Sequence, residues 1–238
     1  MGRSYLFQSF SSIWGEKDKT VSMERMKEKI KQKRKLRMAV NLAFLLLFLA
    51  LSLTGKIQFW FILFLVGVLA SFKVGRVYCG WICPMYTLAR PVAWLYRRIG
   101  LRRISPPAFL QGQWLRYVFL AAFLGLMVWQ RVRGVQLPVL PALTALLLLF
   151  VLLFEEKWWH GRVCPFGTIL DLSSRPATKA LQVSPEKCQG HGDCQKACPT
   201  DAIVELDSGK RSIISHRCLR CMNCAAACPV GAIGMKRA

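Results

Sequence analysis

Acidic side chains are scarce in this sequence. Its 238 residues hold 12 Asp and Glu against 34 Lys and Arg, a formal charge of +22, and residues 73–116 contain no acid at all. An excess of that size leaves two classes, a nucleic-acid binder or a protein seated in a membrane. Glycine-rich phosphate loops, flavin or nicotinamide fingerprints and hydrolytic triads are also lacking, which excludes the common nucleotide-dependent and hydrolytic chemistries. The first thirty residues have no apolar signal core, and no small-residue cleavage site follows the first long apolar run, so no cleavable leader is expected. Histidine is scarcer still, with His160, His191 and His216 only.

Apolar residues, by contrast, make up 54% of the chain. They gather in four runs, at residues 38–53, 57–72, 114–129 and 137–154. Sixteen helical residues rise about 24 Å against about 30 Å of bilayer hydrocarbon, so each run is slightly short, and flanking Lys and Arg can snorkel across the difference. No amphipathic chain of matching length is present to bury such helices in a soluble core, and a duplex-binding stripe would have no soluble fold to carry it. Nucleic acid is therefore not an expected partner, whereas membrane lipid is.

The basic residues lie beside these runs. Residues 1–37, 73–116 and 155–238 carry 11, 8 and 12 Lys or Arg, while the two short turns carry three, Lys56, Arg131 and Arg133. By the positive-inside rule both termini and the central loop are cytoplasmic, in a bacterial-type cytoplasmic membrane crossed several times. In the basic arm, Met23, Met26 and Ile30 are spaced for one helix face. Trp81, Trp94, Trp114, Trp129, Trp158 and Trp159 are expected at span ends as an aromatic belt. Glu155 and Glu156 are expected to pair with Lys157 and Arg162.

The membrane part repeats at an offset of 81 residues. Cys79-Gly80-Trp81-Ile82-Cys83-Pro84 follows the second run, and His160-Gly161-Arg162-Val163-Cys164-Pro165 follows the fourth. Each half reads as a helical hairpin, a ligand-x3-Cys-Pro turn at the cytoplasmic face, and a segment returning along the surface (85–99 and 166–181). Such duplication places a shared site between the halves. Three thiols and an imidazole in the set Cys79, Cys83, His160 and Cys164 suit a third iron–sulfur cluster, copper or another metal, or redox-active thiols. The bland alternative is that the Cys-Pro turns end the helices and pack at the interface.

The remaining seven cysteines form two runs, Cys188, Cys194, Cys198-Pro199 and Cys218, Cys221, Cys224, Cys228-Pro229. The second is a complete C-x2-C-x2-C-x3-C-P, the spacing with which bacterial ferredoxins hold iron–sulfur clusters. A shift of thirty residues lays the first run on the second and leaves His191 at the position of Cys221. Because the Cys before Pro ligates the other cluster in two-cluster ferredoxins, cluster A draws on Cys188, Cys194, Cys228 and position 191. Cluster B draws on Cys218, Cys221, Cys224 and Cys198. Seven thiols in this register overshoot the four ligands of structural zinc, and metal ligation points to a reducing compartment. If His191 ligates, cluster A is a 4Fe–4S cluster with a neutral ligand and a raised potential. If it does not, three thiolates suit a 3Fe–4S cluster or a 4Fe–4S cluster with one open iron. His216 has no register partner and reads as surface.

Residues 38–238 resemble the NapH/NosR family of polyferredoxin-like membrane proteins, through four spans, the turns at 79–84 and 160–165, and the two-cluster segment. The resemblance implies electron transfer between the membrane quinone pool and separate protein redox partners, as in a quinol-dehydrogenase membrane component. Some relatives instead serve copper reduction or cofactor maturation. His160 and His191 stand where the family pattern has cysteine.

The expectation is an α-helical membrane protein, four transmembrane helices arranged as two repeated hairpins, with a C-terminal α+β bacterial two-cluster ferredoxin domain. Its parts are a basic cytoplasmic arm (1–37), the transmembrane domain (38–181) and the cytoplasmic ferredoxin-like domain (182–238). Its function is iron–sulfur electron transfer with the quinone pool. The alternative is a membrane copper reductase or cofactor-assembly factor that uses Cys79, Cys83, His160 and Cys164.

Overall fold

Between residues 16 and 53 the sequence has neither proline nor glycine, so nothing interrupts helical hydrogen bonding where the basic arm meets the first apolar run. The computed structural model accordingly shows one helix, α1 (Ser4–Leu53). It describes residues 4–237 except 102, 105, 108, 109, 111, 136–138 and 178, with side chains from residue 24 onward apart from 97, 236 and 237. Arm and first apolar run are thus a single rod, with no break at the expected boundary. Helix α2 (Phe59–Val74) returns beside it and stops at Gly75, whose φ of 64° suits glycine.

A short helix α3 (Val77–Trp81) then carries Cys79, and Cys83 caps helix α4 (Pro84–Ile99). Helices α5 (Leu115–Arg133) and α6 (Val139–Leu153) follow, α6 packed against α4. A short α7 (Glu156–Trp158) and a π-helical turn (Trp159–Val163) carry His160, and Cys164 caps α8 (Pro165–Ser173). Each Cys-Pro pair therefore opens a helix and does not end one. The residue before Pro is held extended, at ψ 121° for Cys83 and 112° for Cys164, while Pro sits without strain in the first helical turn.

Among the described residues two helices are long and apolar enough to cross a membrane, Glu24–Leu53 and Leu115–Arg133, whereas α2 and α6 are apolar but only 16 and 15 residues long. All four leave large apolar side chains uncovered, among them Leu46, Phe61, Val128 and Leu149. Trp94, Trp114 and Trp129 are likewise exposed, as a belt requires. Trp158 and Trp159 are not. Phe150 stacks on Trp158 with ring centroids 4.8 Å apart, and both tryptophans are buried. Adjacent aromatics at a span end were read as interfacial, but the π turn swings this pair inward.

The C-terminal unit begins earlier than the sequence pattern suggests. Strand β1 (Lys179–Val183) pairs antiparallel with β4 (Ile233–Arg237), with Leu181 opposite Met235, so the returning segment after Cys164 ends in a sheet. Between them lie α9 (Asp193–Lys196), β2 (Ile203–Glu205), β3 (Arg211–Ile213) paired with β2, a 3-10 turn (Ser215–Arg217) and α10 (Asn223–Ala227). The thirty-residue repeat is visible in this order, each cysteine run enclosing a short helix before a strand. Leu181, Ala202, Ile203, Ile213 and Ile233 form its core together with Cys194, Cys198, Cys218 and Cys224.

Candidate metal centres

The eight positions assigned to clusters A and B fall into two groups in space. Cys188, His191, Cys194 and Cys228 line one small cavity. Cys198, Cys218, Cys221 and Cys224 line a second. The cysteine before each proline thus faces the cavity of the other run. Backbone amides point at three of the sulfurs: Ala202 N–H donates to Cys198 at 3.3 Å, Ala232 N–H to Cys228 at 3.3 Å, and Arg220 N–H to Cys218 at 3.4 Å. Such bonds stabilise a thiolate and tune a cluster it holds. Burial pushes the Cys218 thiol up to about 12 and the Cys224 thiol up as well, so a bound cation is what favours the thiolate, its proton being released to solvent.

His191 sits between Gly190 and Gly192, both at φ 80°. A Cβ on Gly190 would lie 2.7 Å from the Gly209 carbonyl oxygen, so only glycine lets the loop curl that tightly. The curl brings His191 to the wall of the first cavity while leaving it exposed. His216, read as surface, is partly buried, and its carbonyl accepts a 3.0 Å hydrogen bond from Ser174.

The second constellation is assembled from the two turns. Cys79, Cys83 and Cys164 lie within electrostatic reach of one another. Cys164 receives the Gly167 amide at 3.4 Å as the cap of α8. His160 is buried, its ring 5.7 Å from that of Tyr86, and its Nε2 has no hydrogen-bond partner. Burial, then the nearby Arg76 charge, holds its pKa down at about 3, so the imidazole is neutral, the form that ligates metal. Burial pushes the Cys79 and Cys83 thiols up, and that of Cys164 to about 12.

This turn site touches the second ferredoxin cavity. Gly80 faces the Leu219 carbonyl so closely that a Cβ would lie 2.2 Å from its oxygen, and the repeat-related Gly161 faces the Thr200 carbonyl at 3.3 Å. Cys79, Cys83 and Cys221 share one apolar cluster with Phe64, Tyr78 and Tyr86. The loops around the second cavity are thus seated on the turns, whereas no turn residue lines the first.

Residues that the cysteine pattern does not mark surround this contact. Arg37, Arg76, Arg116 and Arg220 are all buried, the first two to 1% exposure. Among the described residues Asp171 is the one buried carboxylate. It accepts from Arg116 at 2.8 Å and lies 3.7 Å from Arg76. Arg37 donates to the Cys221 carbonyl and, at 3.3 Å, to Asn223 Oδ1. Arg76 approaches Cys79 Sγ at 3.9 Å. Arg37, Arg76 and Arg116 each retain a buried Nε with no partner. Glu155 pairs with Lys157 at 3.6 Å as expected, and Arg162 lies 3.5 Å from Asp201. Two signals in the sequence pointed here: Asp171 is the only acid between residues 157 and 185, and Arg76 and Arg220 lie within three residues of cysteines.

Charged side chains are rarely buried unless paired. Four buried guanidiniums against one carboxylate leave a positive cradle that the polypeptide does not neutralise. Thiolate-ligated iron–sulfur cores are anionic, and the donor set fits them. A single zinc ion, with Zn–S bonds of about 2.3 Å, would draw its sulfurs to within about 4 Å of each other. Among the described residues no three Cys, His, Asp or Glu side chains converge in that way, the turn set included.

A mostly helical chain ending in a 4Fe–4S ferredoxin-like unit defines an iron–sulfur protein of the ferredoxin type, and comparison with known families agrees. The 4Fe-4S binding domain family matches twice, over residues 57–102 and 137–183, once for each half with its turn. The 4Fe-4S dicluster domain family matches residues 180–229. Ferredoxin-type protein NapH of Haemophilus influenzae is 26% identical over 64% of this chain and 59% of its own length. NapH of Escherichia coli is 25% identical over 69% and 63%. Methylamine utilization ferredoxin-type protein MauN of Methylorubrum extorquens is 27% identical over 68% and 61%. Together these matches support assignment of the chain to a NapH-like polyferredoxin family, with iron–sulfur clusters and electron transfer as its chemistry. The chain spans about 60% of the length of these curated relatives. No solved structure matches significantly.

Proposed function

We propose that this chain is a membrane-embedded electron-transfer protein that exchanges electrons between the quinone pool and separate protein redox partners. All four apolar helices cross the bilayer in this reading, the short α2 and α6 included, with both termini cytoplasmic. Their uncovered apolar faces support it, since patches of that extent are rarely left to water. Cys198, Cys218, Cys221 and Cys224 hold cluster B, and Cys188, Cys194, Cys228 and His191 hold cluster A. Bound iron–sulfur clusters supply one-electron redox chemistry. The chain's own residues hold them, bury them and counter their charge.

The observation that carries the proposal is the seating of the Cys218–Cys221 loop and Thr200 against Gly80 and Gly161. It sets one candidate cluster directly against the cytoplasmic ends of the apolar helices, where a lipid-soluble donor arrives. Redox titration of the anaerobically purified protein with a quinol/quinone couple tests it, and both ferredoxin clusters are expected to equilibrate with the couple. A protein that ignores quinol while Cu(II) rapidly oxidises its reduced form would end the quinone reading.

That second outcome is the metal-reductase or assembly-factor reading. The buried, unpartnered Nε2 of His160 beside three thiols is the observation for it; imidazole with thiolate suits copper, and since no three of these side chains converge on one ion, copper would have to draw the two turns together. Copper reduction unaltered by Cys79→Ser and Cys164→Ser would exclude the turns as its site.

A further inference from the structure

The basic face of α1 has a use that the electron-transfer reading leaves unassigned. A cavity of about 180 Å³ lies between α1 and α4, lined by Lys31, Arg34, Lys35, Arg37, Met38 and Arg90. Five of its six walls are cationic, and no acid lines it. Among the described residues none of the five is in an ion pair with a carboxylate. Arg37 is 1% exposed and keeps a buried Nε with no partner. Arg37 and Arg90 each stand 5.8 Å from the Tyr86 ring, and Arg37 also donates to the Cys221 carbonyl and Asn223 Oδ1. Lys31, Arg34 and Lys35 are exposed and Arg90 is half-buried, so water solvates them, and an anion that enters the cavity gains attraction from all five at once.

The neighbouring surface says which kind of anion. Along one face of α1, Arg34 is followed at four-residue spacing by Met38, Leu42 and Leu46, exposed to 61, 55 and 60%. The face changes from cationic to apolar within one turn, where the first apolar run begins. A free phosphate would use the cations and leave the apolar stripe bare. A phospholipid uses both, its phosphate among the cations and an acyl chain along Met38, Leu42 and Leu46. We propose that the cavity between α1 and α4 binds the anionic headgroup of a phospholipid from the cytoplasmic leaflet. The inference rests on the membrane reading above. It goes beyond general attraction of a basic arm to lipid, because it names one pocket and one lipid orientation.

The test uses the full chain reconstituted in nanodiscs, with native mass spectrometry and microscale binding of short-chain phosphatidylglycerol, phosphatidylcholine and inorganic phosphate. The wild type is expected to retain phosphatidylglycerol. Arg34→Gln/Lys35→Gln/Arg90→Gln should weaken retention by roughly 100-fold, three charges at about 1 kcal/mol each. Lys29→Gln/Lys33→Gln, which removes charge from outside the cavity, should leave it unchanged, and Arg34→Lys/Arg90→Lys should restore most of it. Unchanged iron content reports that each variant is folded. Equal retention of phosphatidylcholine, equal loss in the Lys29/Lys33 variant, or inorganic phosphate binding as tightly as the lipid would each overturn the proposal. Failure to enter nanodiscs at all would sink the membrane reading with it, whereas entry without retained anionic lipid would sink this inference alone.

Discussion

Gly80 is the narrowest point of contact between the turns and the ferredoxin-like unit. An added Cβ there would lie 2.2 Å from the Leu219 carbonyl oxygen, where ordinary contact begins at 3.4 Å, so the backbones must part by about 1.2 Å. The obstacle is main chain between two cluster B cysteines and cannot swing aside as a side chain would. Overpacking of this kind costs about 1–3 kcal/mol. Gly161, its counterpart in the repeat, needs only about 0.1 Å, from 3.3 Å to the Thr200 oxygen. Both glycines lie in helical turns, so the gain of up to about 1 kcal/mol that alanine brings to a helix applies to both and cancels in the comparison. At about 2–4 °C per kcal/mol for a chain of this size, Gly80→Ala should melt roughly 2–12 °C below Gly161→Ala. The assay is loss of cluster absorbance on heating at one fixed scan rate, since unfolding of such a protein is irreversible. If Gly80→Ala melts with or above Gly161→Ala, the turns do not carry cluster B, and the proposed seating falls.

Two further outcomes follow from the buried charges and the turn thiols. Asp171→Asn keeps the shape but strips the one buried carboxylate from Arg116, 2.8 Å away, and Arg76. The cost should be about 3–5 kcal/mol, or roughly 6–20 °C in the same melt, and a loss below 2 °C would show that the guanidiniums reach water. Iron analysis addresses the turns: about twelve irons per chain mean three four-iron clusters, and about eight confine iron to the ferredoxin-like unit. With three clusters, Cys79→Ser and Cys164→Ser should each remove about four irons while the other signals persist, and full retention of iron would exclude a cluster there.

Much of this site was legible before any coordinates. Ligand identity in a ferredoxin unit is written in spacing, because thiolates two and three residues apart wrap one core and the Cys-Pro step crosses to the other. The structure sorts the cysteines as the thirty-residue shift implies. Of the two readings of the Cys-Pro turns, the one in which they end helices fails at Pro84 and Pro165, which open α4 and α8; proline stops one helix and starts the next, and a pattern does not say which dominates. Burial of Trp158 and Trp159 was hidden because it depends on a π turn, an irregularity without periodic signature. The buried arginines were hidden for a plainer reason. In a chain with 34 basic residues, proximity to a cysteine marks Arg76 and Arg220 only weakly, and nothing marks Arg37 or Arg116 until tertiary packing shows that they are covered. The unbroken α1 could have been read from the lack of glycine and proline across residues 16–53, a negative signal that hydropathy alone overlooks.

The candidate sites for clusters A and B occupy sequence-equivalent halves of one repeat, yet their surroundings push the proposed clusters apart in opposite senses. Around B stand Arg37, bonded to the Cys221 carbonyl, and the buried Arg220. Positive charge at short range stabilises the more negative, reduced form of a cluster and so raises its potential. Among the described residues lining site A the one cation is Arg211, which is already paired with Glu205 at 2.7 Å. With all-thiolate ligands, therefore, B should lie above A. A neutral imidazole from His191 acts the other way, lifting A by removing one negative charge from its ligand set. The two effects separate in His191→Cys. If His191 ligates, the variant lowers the midpoint of A, leaves that of B in place, and puts B above A. EPR-monitored redox titration of wild type and variant reads both midpoints. An unmoved A with the appearance of a four-iron in place of a three-iron signal would show that His191 is no ligand. An A that remains above B in the all-cysteine variant would show that the buried arginines do not govern the order.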